Sequence, residues 1–356
     1  MKRIANLYEQ IISVHNLELA DQKARKGKQD TYGVRLHDKN REENLRLLHE
    51  ALKNKTFKTS PYSTFMIHDP KERIISRLPY YPDRIVHHAI MNILEPIWMK
   101  VFTYNTYSCI KGRGIEGCAK RVDKIIRKYD GKPLYCLKLD IRKYYPSVKN
   151  DVAMAIIRRK IKDADTLWLL DGIIKSAEGL PIGNYLSQYL ANLILAYFMH
   201  WINEMLANII QSELMMDEKP LLDSTEYADD ICLFSDNKQV LHCARKHIEE
   251  YLMKELLLEL KGNWQIFPIA MNRYDKNGRA LDYVGYKFFR NQKLIRKRIK
   301  QNLCRATIKM YKKGDVNDNT FKQGIASWLG WAKHSNSIHL LKTILKQKHY
   351  ETCILR

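Results

Sequence analysis

The chain has 356 residues, of which 61 are Lys or Arg and 39 are Asp or Glu, for a formal net charge of +22. A hydrophobic share of 45% excludes a chain disordered along its length, because disordered chains are poorer in aromatic and β-branched residues. The length fits about two structural units. A charge of this size favours a polyanionic partner such as a nucleic acid, although composition alone is equally compatible with a basic surface that only keeps the protein in solution.

The positive charge is concentrated near the C-terminus. Residues 293–356 contain 15 Lys or Arg and 3 Asp or Glu, a net charge of +12, which leaves +10 for the first 292 residues. We therefore expect this segment to be a separate element that binds phosphates.

Cysteine usage and hydropathy predict a cytoplasmic protein. The seven cysteines are widely spaced and form no C-x-x-C pair, so we expect reduced, mostly buried thiols rather than a zinc site or a disulfide framework. The N-terminus, MKRIANLYEQ, lacks the apolar core of a signal peptide. The apolar stretch at residues 190–202 is interrupted by Asn192 and His200 and is predicted to be too short to span a bilayer, so we expect no membrane partner.

The first 98 residues are predicted to be largely helical. Apolar periodicity predicts helices over residues 4–24 and 39–53, separated by the loop RKGKQDTYG. Four prolines between residues 60 and 82 predict short extended pieces instead of a helix. Asp83 is then predicted to cap a helix that continues to residue 98.

The middle of the chain combines strands with helices. In PLYCLKLDI, apolar residues alternate with Cys136, Lys138 and Asp140, which predicts a half-buried strand. Helices are predicted over 150–161 and 165–177, and the loop GLPIGN opens a long apolar helix that continues to about residue 204. TEYADDICLF predicts a hairpin with Asp229 and Asp230 at its tip.

The last third begins with a helix at 240–256 and short strands in WQIFPI and LDYVGYKFF. From residue 293 the chain is predicted to be helical, with one apolar stripe opposite Arg, Lys and Gln. A basic helical C-terminal element follows from this pattern.

Three aspartates form the candidate reaction centre. If the strands that carry Asp140, Asp229 and Asp230 are neighbours in one antiparallel sheet, three acidic groups converge in a basic protein, and cations must balance them. Hard oxygen ligands suit Mg²⁺, and two such ions can clamp the attacking and leaving oxygens of a phosphoryl transfer. An Asp-Asp turn alone is common in proteins. The hypothesis of a metal-dependent reaction centre therefore depends on the combination of this turn with Asp140.

Two motifs resemble those of the reverse transcriptase family. YADD, at residues 227–230, matches the Y-x-D-D box, and KLDIRKYYPSV, at residues 138–148, matches the first catalytic box of the family. The resemblance implies an α+β right-hand polymerase, with an antiparallel palm sheet packed on helices. It further implies a basic helical N-terminal extension (1–60), fingers and palm (61–290) and a helical basic thumb (291–356).

The resemblance also implies the roles of the central residues. Asp140, Asp229 and Asp230 would be the catalytic carboxylates and would bind two Mg²⁺ ions, or Mn²⁺ as a substitute, together with the backbone carbonyl of Ile141. Tyr145 would be the steric gate that excludes a 2′-hydroxyl and selects deoxynucleoside triphosphates. This bulky ring distinguishes the family from RNA-dependent RNA polymerases.

Further segments resemble other parts of the family. KERIISRLPYYPDRIVHHAI, at residues 71–90, resembles the fingers segment, in which Arg73 and Lys71 would hold the incoming triphosphate. LDYVGYKFF resembles the primer grip, and SWLGWAKHSNSIHL lies in the thumb. Lys261 is a candidate general acid for the pyrophosphate leaving group, and a surface lysine is the alternative.

One box points to a subclass. Where group II intron-type enzymes have Q-G-x-x-x-S-P, this chain has Ile182, Gly183 and Asn184 followed by Gln188, a pattern similar to that of diversity-generating retroelements. Such enzymes copy a template-repeat RNA into cDNA with errors at adenines (mutagenic retrohoming) in a bacterial or phage-infected cell. They act on RNA and RNA/DNA duplexes with a small basic oligomeric accessory protein. The rivals are a group II intron-like or phage-defence reverse transcriptase and, from another class, an inactive RNA-binding scaffold.

The chemistry of Ile182 agrees with low fidelity. A Gln at this position can position the incoming nucleotide by a hydrogen bond, whereas Ile offers shape but no donor. Loss of a bond worth about 1 kcal/mol relaxes base discrimination several-fold. The alternative is that Ile182 only packs beneath the loop.

Overall fold

The structure is a computed structural model, which describes residues 3–68, 72–313, 318–345 and 351. These residues form a mixed α/β structure. The helices in chain order are α1 (Tyr8–Ile12), α2 (Val14–Ala24), α3 (Tyr32–Asp38), α4 (Arg41–Lys53), α5 (Ile85–Met99), α6 (Gly114–Lys128), α7 (Tyr144–Ser147), α8 (Asn150–Arg158), α9 (Ala164–Ile174), α10 (Tyr185–Trp201), α11 (Ala207–Glu213), α12 (Lys238–Tyr251), α13 (Lys297–Lys312), α14 (Asp318–Lys333) and α15 (Ile338–Ile344). The strands are β1 (Ser63–Ile67), β2 (Arg73–Arg77), β3 (Tyr135–Asp140), β4 (Asp223–Tyr227), β5 (Asp230–Ser235), β6 (Gln265–Pro268), β7 (Leu281–Tyr283), β8 (Tyr286–Phe288) and β9 (Lys293–Ile295).

Two compact units divide the chain. The first comprises Met1–Cys109, Asp140–Leu206 and Lys246–Gly262, and the second comprises Ile110–Leu139, Ala207–Arg245 and Asn263–Arg356. Each unit is therefore assembled from three separate stretches of sequence. The division into 1–60, 61–290 and 291–356 stays a prediction about functional parts.

The N-terminal part of the first unit is helical, but the predicted helix over residues 4–24 is wrong in extent. Ser13 adopts an extended ψ of 139°, which separates α1 from α2, and its hydroxyl accepts the backbone N–H of Asn16 to cap α2. The predicted loop is also shorter than expected, because α3 begins at Tyr32.

The proline-rich segment forms the predicted extended pieces, since β1 and β2 pair as an antiparallel hairpin. The predicted role of Asp83 as a helix cap is wrong. Its buried carboxylate accepts the backbone N–H of Ser60 at 2.9 Å, so it fastens the chain before β1 to the segment that leads into α5. A distant backbone partner has taken the place of the local one.

The apolar helix is longer than expected. The helical run Tyr185–Glu213 has 29 residues and by length and composition alone could cross a membrane, which corrects the expectation that it is too short. More than half of its most apolar window, 56%, is buried inside the protein. Burial of this kind is typical of a core helix.

The second unit contains two sheets. Its four-stranded sheet has the order β4-β5-β3-β6, in which β4 pairs antiparallel with β5 and β3 pairs antiparallel with β6. The strand predicted around Leu137 and Leu139 is confirmed, although Cys136 is also buried. A three-stranded antiparallel sheet has the order β7-β8-β9.

The C-terminal helices pack around their own core. Strand β9 precedes α13, so the prediction that the chain is helical from residue 293 is wrong by four residues. Leu303 and Met310 on α13 pack with Phe321 and Ile325 on α14. A side chain at Gly324 would overlap Met310, so glycine permits the close approach of the two helices.

The prediction that most cysteines are buried is confirmed for the described residues. Four of the six described cysteines are buried, and all six are free thiols in the structure. Burial raises the pKa of Cys118 to about 11, so this thiol stays neutral and unreactive near pH 7. Cys353 lies outside the described residues.

Candidate active site

The YADD segment forms a tight β-hairpin. Tyr227 pairs directly with Asp230, which leaves Ala228 and Asp229 as a two-residue loop. Asp230 is therefore the first residue of β5, and the expectation that both carboxylates lie at the tip holds for Asp229 alone. The structure confirms the hairpin and refines the position of its second carboxylate.

The loop holds a strained backbone. Ala228 has φ of 56°, in the left-handed region that favours glycine. Strain of this kind costs about 1 kcal/mol or more and persists only where the surroundings enforce it. They do so here, because Ile231 and the next four residues of β5 are buried.

Asp140 is the last residue of β3 and is bonded to Lys261. The ammonium of Lys261 donates to Asp140 Oδ2 at 2.5 Å, and the backbone N–H of Lys261 donates to the Asp140 carbonyl at 2.9 Å. The other carboxylate oxygen, Oδ1, is buried and has no hydrogen-bond partner. A buried carboxylate oxygen without a donor is costly unless a cation occupies the space beside it.

The residues after Asp140 pair with the chain before Lys261. Ile141 is buried and opposite Leu260, and this pair is flanked by the backbone bonds Arg142 N–H to Glu259 C=O and Lys261 N–H to Asp140 C=O. Neither of these two bonds involves the Ile141 carbonyl. That group is the one predicted as a further metal ligand.

Tyr145 lies against the loop that precedes α10. Its backbone carbonyl accepts the N–H of Leu180 at 2.8 Å, and its ring packs edge-on against Tyr144. Gly179 has φ of +69°, and a Cβ there would lie 2.7 Å from the Pro146 backbone. The turn at Tyr145 and the loop are therefore in contact.

The same loop is fastened to strand β2. Ser76 donates its backbone N–H to the carbonyl of Ile182 at 2.8 Å. Gly183 has φ of +117°, and a Cβ there would lie 2.7 Å from the Ser76 carbonyl oxygen. Arg73 is exposed on the same strand, whereas Lys71 lies outside the described residues.

Asn184 closes the loop through side-chain contacts. Its side chain is 6% exposed, and its amide donates to the hydroxyl of Tyr62 at 3.1 Å. The Tyr62 hydroxyl in turn lies 3.1 Å from the Ser176 hydroxyl. Gln188 lies one turn further along α10 and is half-buried. The structure thus brings Ile182, Gly183 and Asn184 together with β2 and the segment before β1.

Two carboxylate-bearing strands are neighbours in the four-stranded sheet. Asp140 ends β3 and Asp230 begins β5, and these strands are adjacent in its order. The donor set consists of carboxylate and carbonyl oxygens, which suits a hard divalent cation. Within the first unit, the unpartnered Asp140 Oδ1 and the neighbouring Ile141 carbonyl are oxygen donors of the kind that a divalent cation binds.

Several residues that contact the site were not predicted from the sequence, because their partners are distant in the chain and no motif links them. Ser76, Tyr62 and Glu259 act through contacts with residues more than 60 positions away. Tyr283, in the segment compared with a primer grip, donates to the Asp230 carbonyl. Only that last motif offered a clue.

Comparison with known proteins agrees with the motifs. Protein YkfC of Escherichia coli is 27% identical over 139 residues, which cover 36% of each chain. The group II intron-encoded protein LtrA of Lactococcus lactis is 23% identical over 259 residues, which cover 69% of this chain and 41% of LtrA. This chain thus spans about two fifths of these relatives or less.

A solved structure of apo telomerase from Candida tropicalis is 10% identical, with a TM-score of 0.49, and covers 80% of this chain and 58% of that chain. The family model described as reverse transcriptase (RNA-dependent DNA polymerase) matches residues 67–264, a span that includes Asp140, Asp229 and Asp230. Because this match extends over more than half of the chain, the protein belongs to the reverse transcriptase family.

Proposed function

We propose that this chain is an RNA-directed DNA polymerase that extends a primer with deoxynucleotides. The observation that carries the proposal is the placement of Asp140 and Asp230 at ends of adjacent strands in a protein with a net charge of +22. Clustered carboxylates have no use in a protein that only binds polyanions. They suit a metal-dependent phosphoryl transfer, which is the chemistry of the family.

The metal site of this proposal is formed by Asp140, Asp229, Asp230 and the carbonyl of Ile141. The family in general depends on divalent metals, and we propose Mg²⁺, with Mn²⁺ as a substitute. When bound, the ions would activate the primer 3′-hydroxyl and neutralise negative charge on the leaving pyrophosphate. Asp140 Oδ1, buried and without a donor, supports the assignment.

The incoming nucleotide is proposed to bind between the fingers hairpin and the loop before α10. Arg73 and Lys71 would hold the triphosphate, and Tyr145 would exclude a 2′-hydroxyl. The bond from Ser76 to Ile182 supports this assignment, because it fastens the loop to the strand that carries Arg73. Asn184 and Gln188 complete the proposed nucleotide-binding set.

Lys261 is proposed to give a proton to the leaving pyrophosphate. In the structure its ammonium donates to Asp140. Cations bound by the carboxylate would replace the ammonium there and leave it for the leaving group. The alternative is a purely electrostatic role beside Asp140. A general acid must release a proton, whereas an electrostatic role needs only the positive charge of the side chain.

Primer extension tests the proposed activity. The full chain, supplied with an RNA template, a DNA primer, deoxynucleoside triphosphates and Mg²⁺, should extend the primer, and Asp229→Ala should abolish extension. Asp171→Asn is a matched control, because Asp171 forms an ion pair with Lys175 one helical turn away on α9 and is not among the proposed metal ligands. Equal inactivity of the wild-type and Asp229→Ala chains, with every supplied RNA and accessory protein, would contradict the proposal.

For the subclass, we propose a diversity-generating retroelement enzyme that copies a template-repeat RNA with errors at adenines. Ile182 supports this, since its side chain offers no hydrogen-bond donor where intron-type enzymes have Gln. A small basic oligomeric accessory protein would be its partner, and the cytoplasm its place of action. Sequencing of the cDNA should show errors concentrated at template adenines.

A group II intron-like enzyme is the second candidate. The match over 259 residues to the intron-encoded protein LtrA favours it. A uniformly low error rate at all four template bases would support this candidate, or a phage-defence enzyme, over the mutagenic one. The most distant alternative is an inactive RNA-binding scaffold. It predicts that the wild-type chain extends no primer, so that substitution of the aspartates changes nothing in this assay.

A further inference from the structure

Tyr283 on β7 is a fully buried tyrosine bonded to the YADD hairpin. Its hydroxyl donates a hydrogen bond of 3.0 Å to the backbone carbonyl of Asp230, and its side chain has 0% exposure. Both residues belong to the second unit. Because the phenol is fully buried, water has little access to the donor, so the bond restrains the carbonyl more firmly than a bond between exposed groups would.

A second bond joins β7 to the other carboxylate-bearing strand. The Lys138 ammonium donates to the backbone carbonyl of Asp282 at 2.9 Å, and Lys138 precedes Asp140 by two residues. The Asp282 carboxylate in turn accepts from Arg296, which leads into α13. Consecutive residues of β7 are therefore bonded to β3 and to β5.

The surroundings of Tyr283 belong to the same unit. Tyr283 and Cys118 are both fully buried, and the Cys118 thiol lies 3.5 Å from the Thr225 hydroxyl on β4. The phenol is therefore enclosed on the side of β4 as well as bonded to β5.

We propose that Tyr283 is a positioning residue that fixes Asp230 for metal binding, with β7 as a brace across both carboxylate-bearing strands. The need for a brace follows from the backbone, since Asp230 comes directly after a loop in which Ala228 is held at φ of 56°. Without the hydroxyl, the backbone of Asp230 gains freedom that metal binding must remove. This inference rests on the proposed function, because it assigns Asp230 to the metal.

Tyr283→Phe removes the hydroxyl and leaves the ring. Tyr286→Phe is the matched control, because Tyr286 is the cross-strand partner of Tyr283 and its hydroxyl donates to the Trp331 carbonyl, away from the hairpin. The readouts are Mn²⁺ binding by electron paramagnetic resonance, thermal unfolding, and primer extension at varied Mg²⁺ and nucleotide. All are made on the full chain.

We expect Tyr283→Phe to weaken Mn²⁺ binding and to lower kcat at saturating Mg²⁺, each about fivefold, the value of one net hydrogen bond. The KM of Tyr283→Phe for deoxynucleotide should stay within about twofold of wild type, because the lost hydroxyl is bonded to Asp230 and not to the proposed triphosphate-binding residues. Tyr286→Phe should bind Mn²⁺ within about twofold of wild type, because its hydroxyl is bonded to Trp331 and not to the hairpin. Lys138→Met removes the second bond of β7 and should also weaken Mn²⁺ binding. This variant replaces Tyr283→Phe as the test if Tyr283→Phe fails to fold.

The outcomes separate this inference from the proposed function. Mn²⁺ binding equal to wild type in Tyr283→Phe, or an equal loss in Tyr286→Phe, overturns the positioning role while leaving the polymerase in place. A wild-type chain that neither binds Mn²⁺ nor extends a primer refutes the proposed function, and the positioning role falls with it.

Discussion

The ammonium of Lys261 lies 2.5 Å from Asp140 Oδ2, although 121 residues separate the two in the chain. The bond exists because the backbone of Lys261 pairs with that of Asp140, which brings the two side chains to the same place. Lys261 therefore lies beside Asp140 in the candidate site, with 33% of its side chain exposed. Its role in proton transfer stays a prediction.

Lys261→Arg separates charge from proton transfer. Arginine keeps a positive charge beside Asp140 but gives up no proton near neutral pH. If Lys261 is the general acid, kcat should fall about 100-fold, the lower range of such catalysis, with little change in the Mg²⁺ requirement. Lys254→Arg, at an exposed position, is the control, and full activity of Lys261→Arg would leave Lys261 only an electrostatic role.

Gly183→Ala should disturb the nucleotide loop without unfolding the protein. The change introduces a Cβ 2.7 Å from the Ser76 carbonyl at φ of +117°, so the loop must move away from β2. We expect the KM for deoxynucleotide to rise about tenfold, since small displacements of positioning groups are costly. Steady-state primer extension measures this.

Gly172→Ala is the control for that variant. Gly172 lies inside α9, and no atom lies within 4 Å of the position of an added Cβ. The change should leave KM unaltered and raise stability by up to about 1 kcal/mol, because alanine favours helices. A normal KM in Gly183→Ala would contradict the assignment of the loop to nucleotide binding.

Ile182→Gln should reduce errors at template adenines. The backbone of Ile182 is held by Ser76 whatever its side chain, so the substitution tests the side chain alone. A restored hydrogen bond to the nucleotide should lower misincorporation several-fold. Ile182→Leu, which adds no donor, should keep the wild-type error spectrum in cDNA sequencing, and identical spectra for the two variants would refute the prediction.

Asp21 should make the stability of the first unit depend on pH. Burial alone would raise the pKa of this carboxyl, but hydrogen bonds hold it well below its ordinary value of 3.8. The donors are Tyr80, Arg25 and Arg41, and the His37 imidazole lies 3.5 Å from Asp21 Oδ1. Because the folded pKa lies below the unfolded one, the stabilisation is complete well above pH 3.8 and is lost as the pH falls below it.

Asp21→Asn should therefore destabilise the protein near pH 7 by roughly 3 kcal/mol, because it leaves two arginines without their buried partner. The difference from wild type should narrow as the pH is lowered from 6 to about 2, because the unfolded wild-type chain takes up a proton on Asp21 in this range before the folded chain does. Denaturant unfolding across this range measures it. Asp38→Asn, which removes only the exposed partner of Arg25, should have a small effect at every pH.

Local patterns predicted the elements that depend on local chemistry. The apolar alternation around Leu137 identified β3, and YADD identified the hairpin, since side-chain period and turn preference act between near neighbours. One prediction failed where a distant group competed with a local one, since Asp83 accepts from Ser60 instead of capping its helix. Another failed because a local cap outweighed apolar periodicity, since Ser13 caps α2 and divides a helix that periodicity predicts as continuous.

The sequence by itself determined the family and the chemistry, because Asp140, Asp229 and Asp230 stand in two short motifs that local order preserves. Only the tertiary structure decided which residues hold those groups in place. The bonds from Lys261 to Asp140, from Ser76 to Ile182 and from Tyr283 to Asp230 join residues 53 to 121 positions apart. Such contacts form only when the sheets and loops pack together, so the spacing of these residues in the sequence does not predict them.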